Sequence, residues 1–171
     1  MDDRDRALQL AYRAVGQRDR TVAELRTYLE RKRVEPEDIA AAVAELQQAG
    51  LLDDARYARR FAEDKRELES WGAERIAREL QRRGIAPDLI EPVVADRGRE
   101  AELQTALVLL ARRVPPPTDD RERNRAWQML IRRGYEAEVA YEAVRRHERG
   151  GDQRAACARL PRTAYTATLM G

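Results

Sequence analysis

The sequence predicts an all-α chain: three tandem three-helix units forming an elongated, curved right-handed or solenoid-like array. Three observations carry this. Apolar residues recur at helical spacing along most of the chain. Glycine (9 of 171) and proline (7 of 171) are too sparse for a β-protein that turns every ten residues. A repeat with a period near fifty residues runs from one end of the patterned region to the other. Only 9 residues are aromatic, two Trp, six Tyr and one Phe, so the expected core is thin helical layers of Leu, Val, Ile and Ala.

The repeat fixes the units. Leu29 placed over Leu80 sets Val34 on Ile85, Pro36 on Pro87, Ile39 on Ile90 and Val43 on Val94. Leu80 placed over Leu130 sets Gly84 on Gly134, Ile85 on Tyr135 and Val94 on Val144. The strings Gln81-Arg82-Arg83-Gly84-Ile85 and Ile131-Arg132-Arg133-Gly134-Tyr135 are nearly the same, and Glu30-Arg31-Lys32-Arg33-Val34 is the first copy. The units are expected at 1–50, 51–98 and 99–149, with a mobile C-terminal tail at 150–171.

Each unit reads as three helices. In the first, Leu8, Ala11, Tyr12 and Val15 form an i, i+3, i+4, i+7 stripe. Thr21-x-x-Glu24 is a capping box that opens the middle helix, which buries Leu25 and Leu29. Pro36 suits the first position of the third helix, where Ile39, Val43 and Leu46 are the buried stripe and Gly50 takes the left-handed position after its end. In the second unit Asp53-Asp54 caps a helix whose face is Tyr57, Phe61 and Leu68. Ile76 and Leu80 follow, then Ile90 and Val94 after Pro87. Pro92 lies inside that last helix and predicts a kink or an early stop. The third unit holds Leu103, Leu107 and Leu110, a Pro115-Pro116-Pro117 link, Trp127, Leu130 and Ile131, and finally Val139, Ala140, Ala143 and Val144. Past Arg149 the periodicity ends.

The composition excludes several chemistries. One His (His147) and one Cys (Cys157) cannot make a zinc site. His147 lies in the charged run Arg145-Arg146-His147-Glu148-Arg149 and reads as a solvated surface residue. No Gly-rich nucleotide loop is present. The expectation is therefore a non-enzyme without a cofactor or a metal. No apolar run reaches the roughly 18 residues of a membrane span, and mean hydropathy is -0.76. The opening Met1-Asp2-Asp3-Arg4-Asp5-Arg6 has no apolar export core, and a lone cysteine suits a reducing compartment, so a cytoplasmic monomer is expected.

Net charge is only +2, from 33 basic and 31 acidic residues, but it is unevenly placed. Residues 1–54 carry 9 basic and 12 acidic side chains, 55–113 carry 13 and 11, and 114–171 carry 11 and 8. All cations but Lys32 and Lys65 are arginines, whose planar fork suits phosphate and carboxylate partners. The candidate binding residues are the basic groups that close each middle helix: Arg31 and Lys32, Arg82 and Arg83, Arg132 and Arg133. They fit two readings, helix-end charges that complement the dipole and a repeated row of cations facing an anionic partner. Trp71, beside Gly72 between two helices, is the candidate surface anchor. Tyr57 and Phe61 sit at core spacing, and Trp127 is expected to be half exposed.

Gly50-Leu51-Leu52-Asp53-Asp54-x-x-Tyr57-Ala58, followed by Arg75-Ile76-x-x-Glu79-Leu80-x-x-Arg83-Gly84-Ile85, resembles the signature of the RecX family, bacterial regulators of the RecA recombinase. Thr21-x-x-Glu24-Leu25-x-x-Tyr28-Leu29 is similar to the family's first unit, and the resemblance covers roughly residues 7–147. Arg33 stands where the family's glycine is expected, and the triproline and the segment after Arg149 depart from the family pattern. The resemblance implies an all-helical, non-enzymatic modulator, mainly an inhibitor. Its implied partners are RecA and the groove of the RecA–single-stranded DNA filament, whose ATPase, strand exchange and coprotease activities it restrains in DNA repair and the SOS response. Weak direct nucleic-acid binding is compatible with it. The residues alone also allow a small helical DNA-binding module or a helical scaffold for another protein.

Overall fold

The computed structural model describes residues 3–159. Nine helices run through them: α1 (Asp3–Gln17), α2 (Val22–Arg31), α3 (Pro36–Gln48), α4 (Asp54–Glu69), α5 (Ala73–Arg82), α6 (Pro87–Ala95), α7 (Gly98–Arg113), α8 (Asp120–Arg133) and α9 (Ala137–Arg159). No strand occurs among the described residues, and no described helix is long and apolar enough to cross a membrane. The chain divides into two compact units, Met1–Asp96 and Arg97–Gly171. The first holds α1–α3 and α4–α6, and the second holds α7–α9.

The repeat is visible as one recurring local geometry. Leu29, Leu80 and Leu130 are each fully buried on a middle helix. After each comes a residue with left-handed backbone: Arg33 (φ 58°), Gly84 (φ 79°) and Gly134 (φ 84°). The chain then doubles back so that the amides of Val34, Ile85 and Tyr135 donate to the carbonyls of those same leucines at 3.1–3.2 Å. This closes orphan carbonyls at the helix end and brings an apolar side chain under the turn. Arg33 holds this conformation without being glycine, at a steric cost of about 1–2 kcal/mol. Gly84 meets a second demand, because a Cβ there would stand 2.3 Å from the Ala23 Cβ.

In the first group, Leu25 and Leu29 of α2 meet Ile39, Val43 and Leu46 of α3, with Leu52 closing the cluster. The contribution of α1 is Ala7, Ala11 and Ala14, all fully buried. The large residues of its expected stripe lie at the edge of that face. Tyr12 is 42% exposed and donates to Glu45 Oε1 at 3.1 Å. The second group follows the same plan. Ala58 and Ala62 of α4 pack against Ile76, Leu80, Ile85, Ile90 and Val93. Tyr57 and Phe61 flank this cluster half-buried rather than filling it. Leu68, expected on the same face, is 82% exposed and belongs to the surface. The helix ends at Glu69 with Ser70 left-handed. Pro92 does shorten its helix: α6 stops at Ala95, whereas α3 runs thirteen residues. Arg66 donates to the carbonyl of Val93 at 2.8 Å, supplying a partner at that end.

The Gly50-to-Asp54 step is a joint. Gly50 (φ 67°) ends α3, and the amides of Leu51 and Leu52 both donate to the Leu46 carbonyl. Asp53 caps α4 by accepting from the Arg56 amide at 2.9 Å. Asp54 reaches back to the other group and accepts from the Val22 amide at 2.9 Å. One carboxylate thus caps its own helix and the next one caps α2, so the paired aspartates divide the work rather than sharing a single cap. Burial pushes the Asp54 carboxyl above the ordinary aspartate range, against the opposing effect of that amide.

In the second unit Leu103, Ala106, Leu109 and Leu110 of α7 pack with Ala126 and Leu130 of α8, Tyr135, and Val139, Ala140, Ala143 and Val144 of α9. α9 continues through Gly150 and Gly151 to Arg159, ten residues past the point where the apolar periodicity ends. A Cβ on Gly151 would stand 2.3 Å from the Pro116 Cβ. The triproline link therefore lies against the diglycine of α9. His147 is half-buried there and not a solvated surface residue: its Nε2 donates to the Val114 carbonyl at 3.0 Å. Residues 160–171, where the mobile tail was expected to continue, lie outside the described residues.

Tyr135 gives this unit a pH dependence. Its ring is fully buried, and burial, helped by the nearby Glu102 charge, pushes its hydroxyl far above the ordinary tyrosine value of 10.0. In the unfolded chain it ionises near 10, so the folded form then binds the extra proton. Stability is full below pH 10 and is lost as the pH rises toward the folded value. Chemical denaturation followed between pH 8 and 11.5 should show a fall in stability above pH 10 that Tyr135→Phe makes shallower. Equal slopes for the two proteins would show that Tyr135 is not the group responsible.

Candidate functional site

The two groups of the first unit meet along a groove of about 790 Å³. Arg18 and Arg20 from the loop after α1, Tyr28 and Arg31 of α2, and Arg82 and Arg83 from the end of α5 line it, with Glu24 and Glu79. Five arginines against two carboxylates leave a formal excess of three positive charges. The groove exists because the left-handed turn at Gly84 lets the end of α5 lie against Ala23 near the start of α2.

The basic pair in this groove is two different residues. Arg83 is turned inward, with its side chain 29% exposed. Its guanidinium pairs with Glu24 at 3.1 Å and Glu79 at 3.2 Å, and it donates to the Tyr57 hydroxyl at 2.7 Å. Its backbone carbonyl accepts from the buried Thr21 hydroxyl at 2.7 Å. Arg83 is thus a clasp between the two groups. Glu24 is drawn into the same knot and also pairs with Arg18 at 2.8 Å. The capping box is therefore half of what Thr21-x-x-Glu24 predicts: the Thr21 oxygen accepts from the Glu24 amide at 3.1 Å, but the Glu24 carboxylate serves the arginines. Burial pushes the Tyr57 hydroxyl up, with Arg83 opposing.

Arg82 points the other way. Its side chain is 77% exposed and rests on Glu79 at 2.8 Å. Arg31 and Lys32 are exposed at the equivalent end of α2. Lys32 lies 5.8 Å from the centre of the Tyr28 ring, and Arg20 lies 5.1 Å from it, so one aromatic ring steadies two cations. Outward arginine forks around a half-buried tyrosine suit an anionic, hydrogen-bond-accepting partner. Arg132 and Arg133 close α8 in the second unit, the first exposed and the second half-buried. Trp71 does not line the groove. It is half-buried, edge-on to Phe61 at 6.3 Å, and covered by Arg75 at 4.0 Å and Lys65 at 4.9 Å. Its own neighbours therefore occupy the ring that the sequence marks as a surface anchor.

Arg18, Arg20 and Tyr28 are the groove residues that sequence reasoning did not single out. The two arginines precede the Thr21 cap, and at the repeat offset they fall on Glu69 and Trp71, so no recurring cation marks them.

Comparison with known proteins places this arrangement. The family model for the first three-helix domain of RecX matches residues 7–46, the second domain matches 53–93 and the third matches 100–144. The chain is 39% identical over 145 residues to the regulatory protein RecX of Deinococcus radiodurans, covering 84% of this chain and 69% of that protein. It is 37% identical over 134 residues to the regulatory protein RecX of Trichlorobacter lovleyi, covering 75% and 87%. Among solved structures, RecX from Lactobacillus salivarius superposes with a TM-score of 0.78 at 18% identity, covering 89% of this chain and 98% of that one. With three consecutive domain matches and relatives this similar over most of their length, the chain belongs to the RecX family.

Proposed function

We propose that this protein modulates, and mainly inhibits, the RecA recombinase by binding RecA and the RecA–single-stranded DNA filament, restraining ATPase, strand exchange and coprotease activities. The observation that carries the reading is the match of all three three-helix domains to those of RecX. The basic groove of the first unit supports it, since exposed Arg31 and Arg82 offer charge to an acidic protein face or a phosphate chain. Tandem modules add weak contacts through effective concentration, so no single site needs to be strong. The role is regulatory rather than catalytic. The protein acts in the cytoplasm as a monomer, with at most weak affinity for naked nucleic acid, because a net charge of +2 is a poor electrostatic footprint for DNA alone.

The test is the single-stranded-DNA-dependent ATPase of the cognate RecA with increasing amounts of this protein. Wild type should lower the rate, and the effect should fade as salt rises. Arg31→Glu with Arg82→Glu should need about tenfold more protein for the same inhibition, a loss of roughly 1.4 kcal/mol. Arg132→Glu with Arg133→Glu tests the second unit's pair in the same way. An ATPase indifferent to the wild-type protein would end this reading. Tight binding to naked DNA together with that indifference would favour a DNA-binding module.

A further inference from the structure

The second unit carries an aromatic cradle outside the basic groove, and its most exposed member, Tyr141, has no place in the core. Ala137, Tyr141, Arg145 and Arg149 follow one another at four-residue spacing and line one face of α9, and Trp127 of α8 completes a cavity of about 700 Å³. Tyr141 is 63% exposed, unusual for a large side chain beside an apolar floor. Trp127 is half-buried: it packs against the core of this unit, its indole N–H reaches the Ala137 carbonyl at 3.4 Å, and the ring also forms a wall of the cavity.

The charges around the cradle are ordered. At its N-terminal end Glu138 and Glu142 are both held by Arg99, at 3.8 and 3.2 Å. At the other end stand Arg145 and Arg149. Arg145 has Glu148 only at 3.7 Å, and Glu148 is already engaged by Arg123. The cradle is therefore apolar in the middle, acidic at one end, where Arg99 only partly offsets two carboxylates, and positive at the other. Tryptophan, tyrosine and arginine are the residues that dominate protein–protein binding energy when they surround such a pocket.

We infer that this cradle docks a protein segment of the recombinase: a bulky apolar side chain seated between Trp127 and Tyr141, followed along the chain by acidic residues that meet Arg145 and Arg149. The inference rests on the RecA reading above and names a surface and a partner chemistry for it. Single-stranded nucleic acid fits less well. Stacked bases would use the same rings, but a phosphate chain running the length of the cradle would pass the carboxylates of Glu138, 83% exposed, and Glu142 at the acidic end. A peptide that carries its acid at one end avoids that repulsion.

The experiment compares wild type with Tyr141→Ala and Arg149→Glu for binding to cognate RecA, both free and assembled on single-stranded DNA, and separately to an oligo(dT) probe. Both positions are exposed, so each variant should melt with the wild type, which serves as the folding control. Each substitution should weaken RecA binding about tenfold and leave oligo(dT) binding unchanged. Wild-type RecA affinity in both variants overturns the cradle while leaving the proposed function standing. A matching loss of oligo(dT) binding also overturns it, in favour of a base-stacking platform. Wild-type protein that binds RecA in neither form removes the proposed function and this surface together.

Discussion

Leu80→Ala should lower the stability of the first unit by about 3–5 kcal/mol, the upper part of the range for a buried leucine. Leu80 is fully enclosed by Ala58, Ala62, Ile76, Ile85, Ile90 and Val93. Two of those neighbours are alanines on α4, too short to move into the space that three lost carbons leave. The cavity therefore stays open, and its cost adds to the lost transfer energy. Thermal unfolding followed by circular dichroism should show a melting temperature lower by more than about 10 °C. Leu68→Ala is the control. Leu68 is 82% exposed, so its removal should change stability by no more than about 0.5 kcal/mol. An unchanged melting temperature in Leu80→Ala would mean that the middle helix is not packed in this register.

Arg83→Glu and Arg82→Glu, adjacent and chemically identical changes, should behave in opposite ways. The first puts a third carboxylate beside Glu24 and Glu79 and leaves the Tyr57 hydroxyl without its cationic donor. Breaking a partly enclosed pair of this kind should cost about 2–3 kcal/mol, at or below the low end of the range for fully buried pairs because 29% of the side chain is in water. The second removes one exposed pair with Glu79 and should cost under about 1 kcal/mol. Denaturant titration separates them. Equal, small losses would show that the clasp contributes nothing to holding α2 and α5 together. The contrast also bears on the proposed RecA assay: a weaker effect from a variant at Arg83 would report instability, whereas the same loss at Arg82 would report the groove.

The middle-helix leucines were legible because a fifty-residue period repeats large apolar side chains, which carry a strong signal. The faces of α1 and α4 were read less well. Their buried positions are alanines, which are as common on surfaces as in cores, so the eye goes to Tyr12 and Leu68 instead. No local pattern distinguishes Arg82 from Arg83. What turns Arg83 inward is Glu24, fifty-nine residues away, and the approach of Ala23 to Gly84. The groove was half legible for the same reason: Arg31, Arg82 and Arg83 stand at repeat positions, whereas Arg18, Arg20 and Tyr28 join them only in three dimensions. The continuation of α9 past Arg149 was not legible because the apolar periodicity ends there, although the helix runs on through the diglycine to Arg159. Here Pro116 occupies the space that a side chain at Gly151 would need, whereas Gly150 has open space around it.

That contact between Gly151 and Pro116 has an evolutionary corollary. Any side chain at Gly151 collides with the proline ring, so mutation there is closed as long as the ring stays. The nearest atom is the Pro116 Cβ, which every residue but glycine carries, so Gly151 is released to drift only once position 116 becomes glycine or the linker backbone moves away, and a β-carbon acquired then would bar the old linker path from returning. The two positions form a ratchet, and the order in which a descendant lineage changes them is constrained from the start: the linker first, the helix second.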